Sequence, residues 1–529
     1  MSIQLKKVLI SDAVDETCVQ LLKKHGLQVT CKYKLSQEEL IKEIPEYDAL
    51  IVRSDTKVRA EVLAAATKLR VVGRAGTGVD NIDTEAATRR GVVVLNTPGG
   101  NSISACELTC ALITSLARNV SPGSQSLKEG RWDRKLYTGE ELSGKTLGVL
   151  GLGRIGREVA SRMAAFGMKI VGFDPMVTAG SIPNVEVVNL EQVWPVADYI
   201  TVHTPLIPQT RNLINEVSLS KCKKGVKIIN VARGGIVDEK GLLAALKVGN
   251  CGGAALDVFS EEPPKSPGLL ELIRHPKVLA TPHLGASTAE AQVRVAVEIA
   301  EQFIALNDPD SGYQVTGAVN APSISDLRDP ANTPWLTLGK ALGSVAAKIA
   351  GDVRSWAGYS VNITTQGELT RNMRFLKTAV LSGMLGASGL PTTTSLNLIN
   401  APLLAEEAGL GVDTRHTSSE SESLNLVSIA VGTKDWKHTV TGTCRGGETW
   451  LLSIDDATFS SGVPFTESTL LYQGSKPSED CPTLIAELVK AGVVITNMAV
   501  AVGKHVWIAV QTVAPINKTI AVPNLKAFN

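Results

Sequence analysis

The segment KTLGVLGLGRIGREVASRMAAFG, residues 145–167, constrains this chain more than any other. Gly151, Gly153 and Gly156 form G-x-G-x-x-G directly after an apolar run of strand character and directly before a helical pattern. The first glycine permits a tight turn, the second lets a pyrophosphate approach the backbone, and the third lets helix and strand pack closely. The phosphates then meet the unpaired N–H groups of the helix N-terminus. Eighteen residues after Gly156, Asp174 closes the next apolar run, where a carboxylate accepts hydrogen bonds from ribose hydroxyls and repels a 2′-phosphate. A glycine-rich turn alone is only a turn. Strand before, helix after and acid at this spacing make it a dinucleotide site, with NAD favoured over NADP.

The same rhythm runs through the first 310 residues. Short apolar runs alternate with helical patterns in KKVLISD, LQVTC, ALIVRSD, LRVVGR and GVVVLNTP, the βαβ order of a parallel sheet. A helical stretch from Ser104 to Arg118 and the polar segment SPGSQSLKEGRWDRKLYTGEEL lead to a second series: KTLGVLG, KIVGFD, DYITVHTP, KIINVAR, GGAALDVF and KVLATPH. A helix from Ser287 to Leu306 leaves this series, and NDPDSG breaks it, so a linker is expected near 307–320. From Pro322 the texture turns to Thr, Ser, Asn and Gly, and the last part reads β-α-β-β. With 529 residues the chain exceeds one hydrophobic core, and three or four domains are expected.

Lys plus Arg number 53 against 52 Asp plus Glu, which leaves no global basic field for nucleic acid and points to a small-molecule partner. The eight cysteines are scattered without a C-x-x-C pair or a zinc spacing, so they read as reduced thiols, and no metal is expected. At the N-terminus only the run Val8–Ile10 precedes acidic residues, far short of a signal-peptide core or a membrane span. The expectation is a soluble cytoplasmic protein with no membrane partner.

In doubly wound sheets ligands bind beyond the carboxyl ends of the strands, which selects Asp174, Thr204, Arg233, Asp257 and His283 for attention. A histidine suits proton transfer near neutral pH, and a guanidinium fork suits a carboxylate. Of the seven histidines only His203 and His283 close an apolar run in this series. A second glycine string, GRAGTGVDN (73–81), lacks the third glycine of a dinucleotide turn; backbone amides facing an anionic substrate are the preferred role for it. Glu261 and Glu262 both offer a carboxylate, and spacing does not choose between them.

Three segments, NVARGGIVDE (230–239), ALDVFSEEPP (255–264) and TPHLGAST (281–288), together with GLGRIG, resemble the D-isomer-specific 2-hydroxyacid dehydrogenases. That resemblance covers about residues 1–310 and implies an NAD-dependent oxidoreductase with His283 as general acid/base, Glu262 as its carboxylate partner and Arg233 as the ligand of the substrate carboxylate or carbonyl oxygen. It further implies cofactor contacts from Thr77, Gly151, Gly153, Arg154, Ile155, Gly156, Asp174, His203, Thr204, Pro205, Val231, Ala232, Asp257, Gly285 and Ala286, with Asp257 at the nicotinamide end. VGRAGTGVDN, ELTC, CKKGV and VHTPL resemble more specifically the long, animal-like members that oxidise a small phosphorylated hydroxy acid, 3-phosphoglycerate. Arg53, Arg74 and Gly76 would then face the substrate with Arg233 and His283. Arg134, in RWDRK, either reaches the anion from a second subunit of a homo-oligomer or is a solvated surface cation. A hydroxypyruvate or glyoxylate reductase of the same family and an NADH-sensing corepressor-like binding protein are the competing readings.

The implied architecture is α/β: two Rossmann-like parallel-sheet lobes followed by α+β intervening and ACT-like domains. Residues 1–98 and 287–310 are assigned to a substrate-binding lobe, 99–286 to the NAD-binding domain, 320–455 to the intervening domain and 456–529 to the ACT-like domain. The terminal stretch NKTIAVPNLKAFN leaves little room for the second helix and strand of an ACT fold, so no effector site is carried over.

Overall fold

In the computed structural model of the chain, the residues described are 3–351, 355–388, 395–418, 425–466, 468–516 and 519–528. Two parallel sheets organise the first three hundred residues. The first contains β1 (Lys7–Ile10), β2 (Gln28–Cys31), β3 (Ala49–Val52), β4 (Val71–Arg74) and β5 (Val93–Leu95) in the order β2-β1-β3-β4-β5. These runs are apolar almost throughout because helices cover both faces, and β3 is buried at all of its positions.

The second sheet contains β6 (Thr146–Leu150), β7 (Lys169–Phe173), β8 (Glu186–Val187), β9 (Tyr199–Val202), β10 (Val226–Asn230), β11 (Cys251–Leu256) and β12 (Val278–Ala280). Their order is β12-β11-β10-β9-β6-β7-β8, so the winding reverses between β6 and β9. A doubly wound sheet binds its ligand at that reversal, where two loops diverge and leave a crevice.

Helix Ser102–Arg118 follows the first sheet and packs on helix Arg154–Ala165 of the second, and helix Ala289–Asn307 brings the chain back. The returning helix buries Val295, Ala296, Ile299, Ala300, Phe303 and Ile304 among Ile10, Ile51, Val71 and Val93, which completes the first core. The chain therefore crosses between the lobes twice.

The stretch expected as a linker near 307–320 is instead knit into the first sheet. Ala318 bridges Leu95, Val319 N–H donates to the Val94 carbonyl at 2.8 Å, and the Asn320 side chain accepts from Val94 N at 2.8 Å. Gln302, almost wholly buried, holds this extension: its amide donates to the Asn96 carbonyl at 2.8 Å while its oxygen accepts from Gly317 N at 2.7 Å.

Beyond it, six strands between residues 360 and 464 form a sheet covered by helices Thr333–Ala350 and Phe375–Ala387, and the remaining four strands form the last sheet. The expected boundary at 455/456 falls inside the six-stranded sheet. Strand Ala457–Pro464 pairs antiparallel with Glu448–Ile454, so the break between sheets lies after Pro464. In the last sheet helix Pro477–Lys490 follows Thr469–Gly474, then come Ile495–Val502 and Val506–Thr512, with a two-residue strand Lys526–Ala527 at the edge. No second helix occurs there among the described residues, and positions 517, 518 and 529 lie outside them.

Replacing Gln302 with Ala strands the Asn96 carbonyl and the Gly317 amide in the core. A loss of about 2–4 kcal/mol is expected, seen as an earlier first transition in urea or thermal unfolding. An unchanged first transition would show that the extension is held by other means.

Candidate active site

The glycine turn sits at the sheet reversal. Gly151 has φ +97°, and a Cβ there would lie 2.6 Å from the His203 carbonyl oxygen, so the loops after β6 and β9 approach as closely as only glycine permits. At Gly156 a Cβ would fall 2.0 Å from the Gly151 carbonyl oxygen, whereas the space at Gly153 is open. Helix Arg154–Ala165 begins there with no side-chain cap, which leaves its first N–H groups for an anion. Asp174 closes the site from β7: one carboxylate oxygen accepts from Leu152 N and the other from Met176 N, both at 2.9 Å, with lone pairs left for hydroxyl donors. The Thr204 hydroxyl at the reversal is buried without a protein partner. Open space at the middle glycine, a bare helix start, an acid across the turn and an orphaned hydroxyl fit a dinucleotide.

Other expected cofactor residues take the following places. His203 hydrogen-bonds the Thr201 hydroxyl at 3.0 Å, and burial pushes it down to about 4, so it is neutral at physiological pH. Pro205 follows on the exposed rim, and Arg154 reaches toward the Pro98 carbonyl at 3.5 Å. Ile155 lies against the core under the glycine turn. Val231 and Ala232 follow β10, with Ala232 N donating to the Asn230 side chain at 3.0 Å. Thr77 hydrogen-bonds the Thr97 carbonyl at 3.2 Å, which ties the first-lobe turn to the crossing segment. Gly285 is buried, and the Ala286 carbonyl accepts from the Gln292 side chain at 2.7 Å.

Asp257 follows β11 and lies beneath the loop after β12. Its side chain has no exposed surface, and its oxygens accept from Thr281 Oγ1 at 2.6 Å, Leu284 N at 2.7 Å and Gly285 N at 2.8 Å. A carboxylate engaged this way anchors the 281–285 loop, the loop that carries His283.

That loop presents His283, which has φ +56° and a side chain 47% exposed. His283 Nδ1 lies 2.7 Å from Glu262 Oε2, and Glu262 Oε1 accepts from Phe259 N at 3.0 Å. Glu261 is turned away: its oxygen accepts from the Lys265 and Ser266 amides at 3.3 and 3.0 Å. The structure thus chooses Glu262. The Glu262 hydrogen bond holds His283 above the ordinary imidazole range despite partial burial. Glu262 is held below the usual carboxylate range: burial pushes it up, and the His283 and Phe259 hydrogen bonds outweigh that push.

From β10, Arg233 projects into the same space, its guanidinium donating to the Ala232 carbonyl at 2.7 Å. The first lobe contributes Arg53 beyond β3 and Arg74 at the end of β4. The Nε atoms of both are buried and have no partner among the described residues, which points to an anion they are built to receive. Burial holds Arg74 below the usual guanidinium range; Asp80 opposes that shift, and Arg233 and Arg53 reinforce it.

Three residues passed over in the sequence organise these cations. Asp12, buried at the end of β1, accepts from Arg53 N at 2.6 Å and from the Thr56 hydroxyl at 2.6 Å. Asn81 donates to the Arg53 and Thr56 carbonyls, both at 2.7 Å. Asp80 bridges Arg74 and Arg233. Asp12 closes a predicted strand, the signal that selected Asp174, and was legible by that rule. Gly76 donates its N–H to the Arg74 carbonyl at 2.9 Å, and Ala75 donates to the Val52 carbonyl at 2.9 Å, so both amides are engaged within the first lobe. Arg134 lies in an exposed loop beside Trp132 and Leu136, with no hydrogen bond or ion pair to the cleft among the described residues.

A doubly wound dinucleotide lobe carrying a His–carboxylate pair and an arginine, opposed by a second parallel-sheet lobe, defines an NAD-dependent 2-hydroxyacid dehydrogenase. Residues 110–285 match the D-isomer specific 2-hydroxyacid dehydrogenase NAD binding domain, and residues 332–454 match the D-3-phosphoglycerate dehydrogenase intervening domain. The chain is 47% identical over 501 residues to D-3-phosphoglycerate dehydrogenase of Rattus norvegicus, covering 92% of this chain and 91% of that one. It is 46% identical over 501 residues to the Homo sapiens protein of the same name, with the same coverages of 92% and 91%. Among solved structures, a D-lactate dehydrogenase from Aquifex aeolicus in complex with NAD and lactic acid superposes with a TM-score of 0.52 at 26% identity, over 58% of this chain and 96% of that chain. The chain belongs to the D-3-phosphoglycerate dehydrogenase family.

Changing Glu262 to Gln removes the cause of the upward shift on His283. Oxidation of a hydroxyl needs the neutral imidazole, so activity rises with pH through the His283 pKa. In Glu262→Gln the acid limb of the log(kcat/KM) profile is expected to move to lower pH, with the plateau reduced about 10- to 100-fold. A limb that stays in place would separate Glu262 from the titration of His283.

Proposed function

We propose that the protein oxidises D-3-phosphoglycerate to 3-phosphohydroxypyruvate with NAD, the first step of serine synthesis by the phosphorylated route. The observation that carries this reading is the group of three guanidiniums, Arg53, Arg74 and Arg233, beside the His283–Glu262 pair, two of them with buried unpartnered Nε atoms. An unphosphorylated hydroxy acid brings one carboxylate, which Arg233 alone can receive. Two further cations suit a phosphate.

In this mechanism the first sheet is the substrate lobe. Arg233 binds the carboxylate and orients C2, while Arg53 and Arg74 hold the phosphate. His283 takes the proton from the C2 hydroxyl, and Glu262 fixes the ring tautomer and stabilises the imidazolium. The dinucleotide rests on Gly151, Gly153 and Gly156 with Asp174 at its ribose; when bound, NAD supplies the hydride acceptor. Return of the proton from His283 accompanies the reverse reduction.

A homo-oligomer and a cytoplasmic site of action belong to the same reading. Val120 and Leu127 on helix Val120–Lys128, with Trp132 at 80% exposed and Leu136 at 72% exposed, offer an apolar surface that a second copy would cover. Arg134, in the same loop, would then reach a neighbouring cleft. All eight cysteines are free, as suits a reducing compartment. No described helix is long and apolar enough to cross a membrane, and no described cluster of three or more His, Cys, Asp or Glu could hold a metal.

The test compares Arg53→Ala and Arg74→Ala with the unaltered protein, following NADH with 3-phosphohydroxypyruvate and with hydroxypyruvate. Each charge-assisted bond contributes about 1.5–3 kcal/mol, so KM for the phosphorylated acid should rise roughly 10- to 100-fold and that for hydroxypyruvate should barely move. Equal losses on both substrates would refute the phosphate assignment, and an initial preference for hydroxypyruvate or glyoxylate would favour a reductase of the wider family.

A further inference from the structure

Asp80 stands in a position that no step of the proposed reaction uses. One of its carboxylate oxygens lies 3.3 Å from Arg233 Nε and 3.8 Å from Arg74 Nη1. Arg74 ends β4 of the first sheet, and Arg233 follows β10 of the second, so this single oxygen joins cations brought from the two lobes. Asp80 itself is 66% exposed, while Arg74 is only 16% exposed. A buried guanidinium therefore makes its ion pair, among the described residues, with a solvent-facing acid. Arg53 and Arg233 both act on Arg74 with like charge, and Asp12, the other acid near it, already accepts from the Arg53 amide and Thr56. At the lobe junction Asp80 relieves the convergence of these cations.

We propose that Asp80 is a placeholder for the substrate's anionic groups: it pairs with Arg74 and Arg233 and is displaced when a doubly anionic acid enters. The inference rests on the phosphorylated-acid reading for the identity of that ligand. Exposure makes the displacement inexpensive, because an ion pair open to water contributes little and the released carboxylate is immediately hydrated. While it remains near the cleft, its charge opposes the incoming anion. Asp80 thus sets substrate affinity and discriminates among anions without touching the reacting atoms. It acts through the two arginines, and its removal should tighten binding and leave chemistry nearly unchanged.

The experiment uses the full-length protein with Asp80→Asn and Asp80→Glu. Steady-state kinetics with 3-phosphohydroxypyruvate are read at low and high ionic strength, and inorganic phosphate binding is measured separately by titration calorimetry without turnover. In Asp80→Asn, KM and the phosphate dissociation constant should both fall roughly three- to tenfold at low salt, with kcat changed less than about twofold. The gain should shrink at an ionic strength near about 1 M, where charges are screened within about 3 Å, and Asp80→Glu should stay near the unaltered protein. A raised KM, or a kcat loss at constant KM, overturns the proposal, since either would mean that Asp80 holds Arg233 in its working pose. Unchanged KM and unchanged phosphate binding overturn it as well. Tighter phosphate binding by Asp80→Asn in a protein that ignores the phosphorylated acid would support the placeholder and remove only the substrate assignment.

Discussion

The catalytic geometry depends on one buried carboxylate. Asp257 emerges from β11 with no solvent exposure and gathers the Thr281 hydroxyl and the Leu284 and Gly285 amides, while its own carbonyl accepts from His283 N at 2.9 Å. A desolvated acid is tolerable only when donors surround it, and here the donors all come from the loop after β12. Their convergence holds His283 at φ +56°, a conformation that costs a non-glycine residue on the order of 1–3 kcal/mol unless its surroundings enforce it. The imidazole is thereby delivered to Glu262. Thr288, just beyond, caps helix Ala289–Asn307 by accepting from Ala291 N, so the same loop also sets the return to the first lobe.

Division of labour between the sheets follows from topology. The second sheet places the glycine turn, Asp174, Arg233 and His283 at the carboxyl ends of β6, β7, β10 and β12, while the first places Asp12, Arg53 and Arg74 at the ends of β1, β3 and β4. Neither lobe holds a complete site. The glycine turn and the His283–Glu262 pair belong to one, Arg53 and Arg74 to the other, and the segments after β5 and before helix Ala289–Asn307 join them. Contacts at that junction include Ser104 Oγ with Thr288 Oγ1 at 2.7 Å and Arg294 Nε with the Gly100 carbonyl at 3.0 Å.

Much of this was legible in the sequence because parallel strands buried on both faces appear as short, unbroken apolar runs with a chemically distinctive residue at the end. Every such run from KKVLISD to KVLATPH is a strand. What escaped depends on distant partners. The break signal NDPDSG at 307–312 made 307–320 read as a linker, yet its end pairs with β5 through Ala318 and Val319. Strands such as Lys437–Arg445, sequence KHTVTGTCR, are antiparallel and half-solvated, so their Thr-rich alternation reads as loop texture until the sheet is seen. Helix Val120–Lys128 was read as a polar connection because Pro122, Gly123 and three serines mask it. Local spacing likewise left Glu261 and Glu262 equivalent, and they are separated by the bond of Glu262 to His283 and the capture of Glu261 by the 265 and 266 amides.

The central claim is that His283, delivered by the Asp257-anchored loop, moves the proton while the glycine turn independently holds the dinucleotide. Its most direct test measures turnover of 3-phosphohydroxypyruvate and NADH affinity by fluorescence titration on His283→Ala. Turnover should fall about 10²- to 10⁴-fold while the NADH dissociation constant stays within about twofold. Turnover near that of the unaltered protein would contradict the account, as would a comparable collapse of NADH binding.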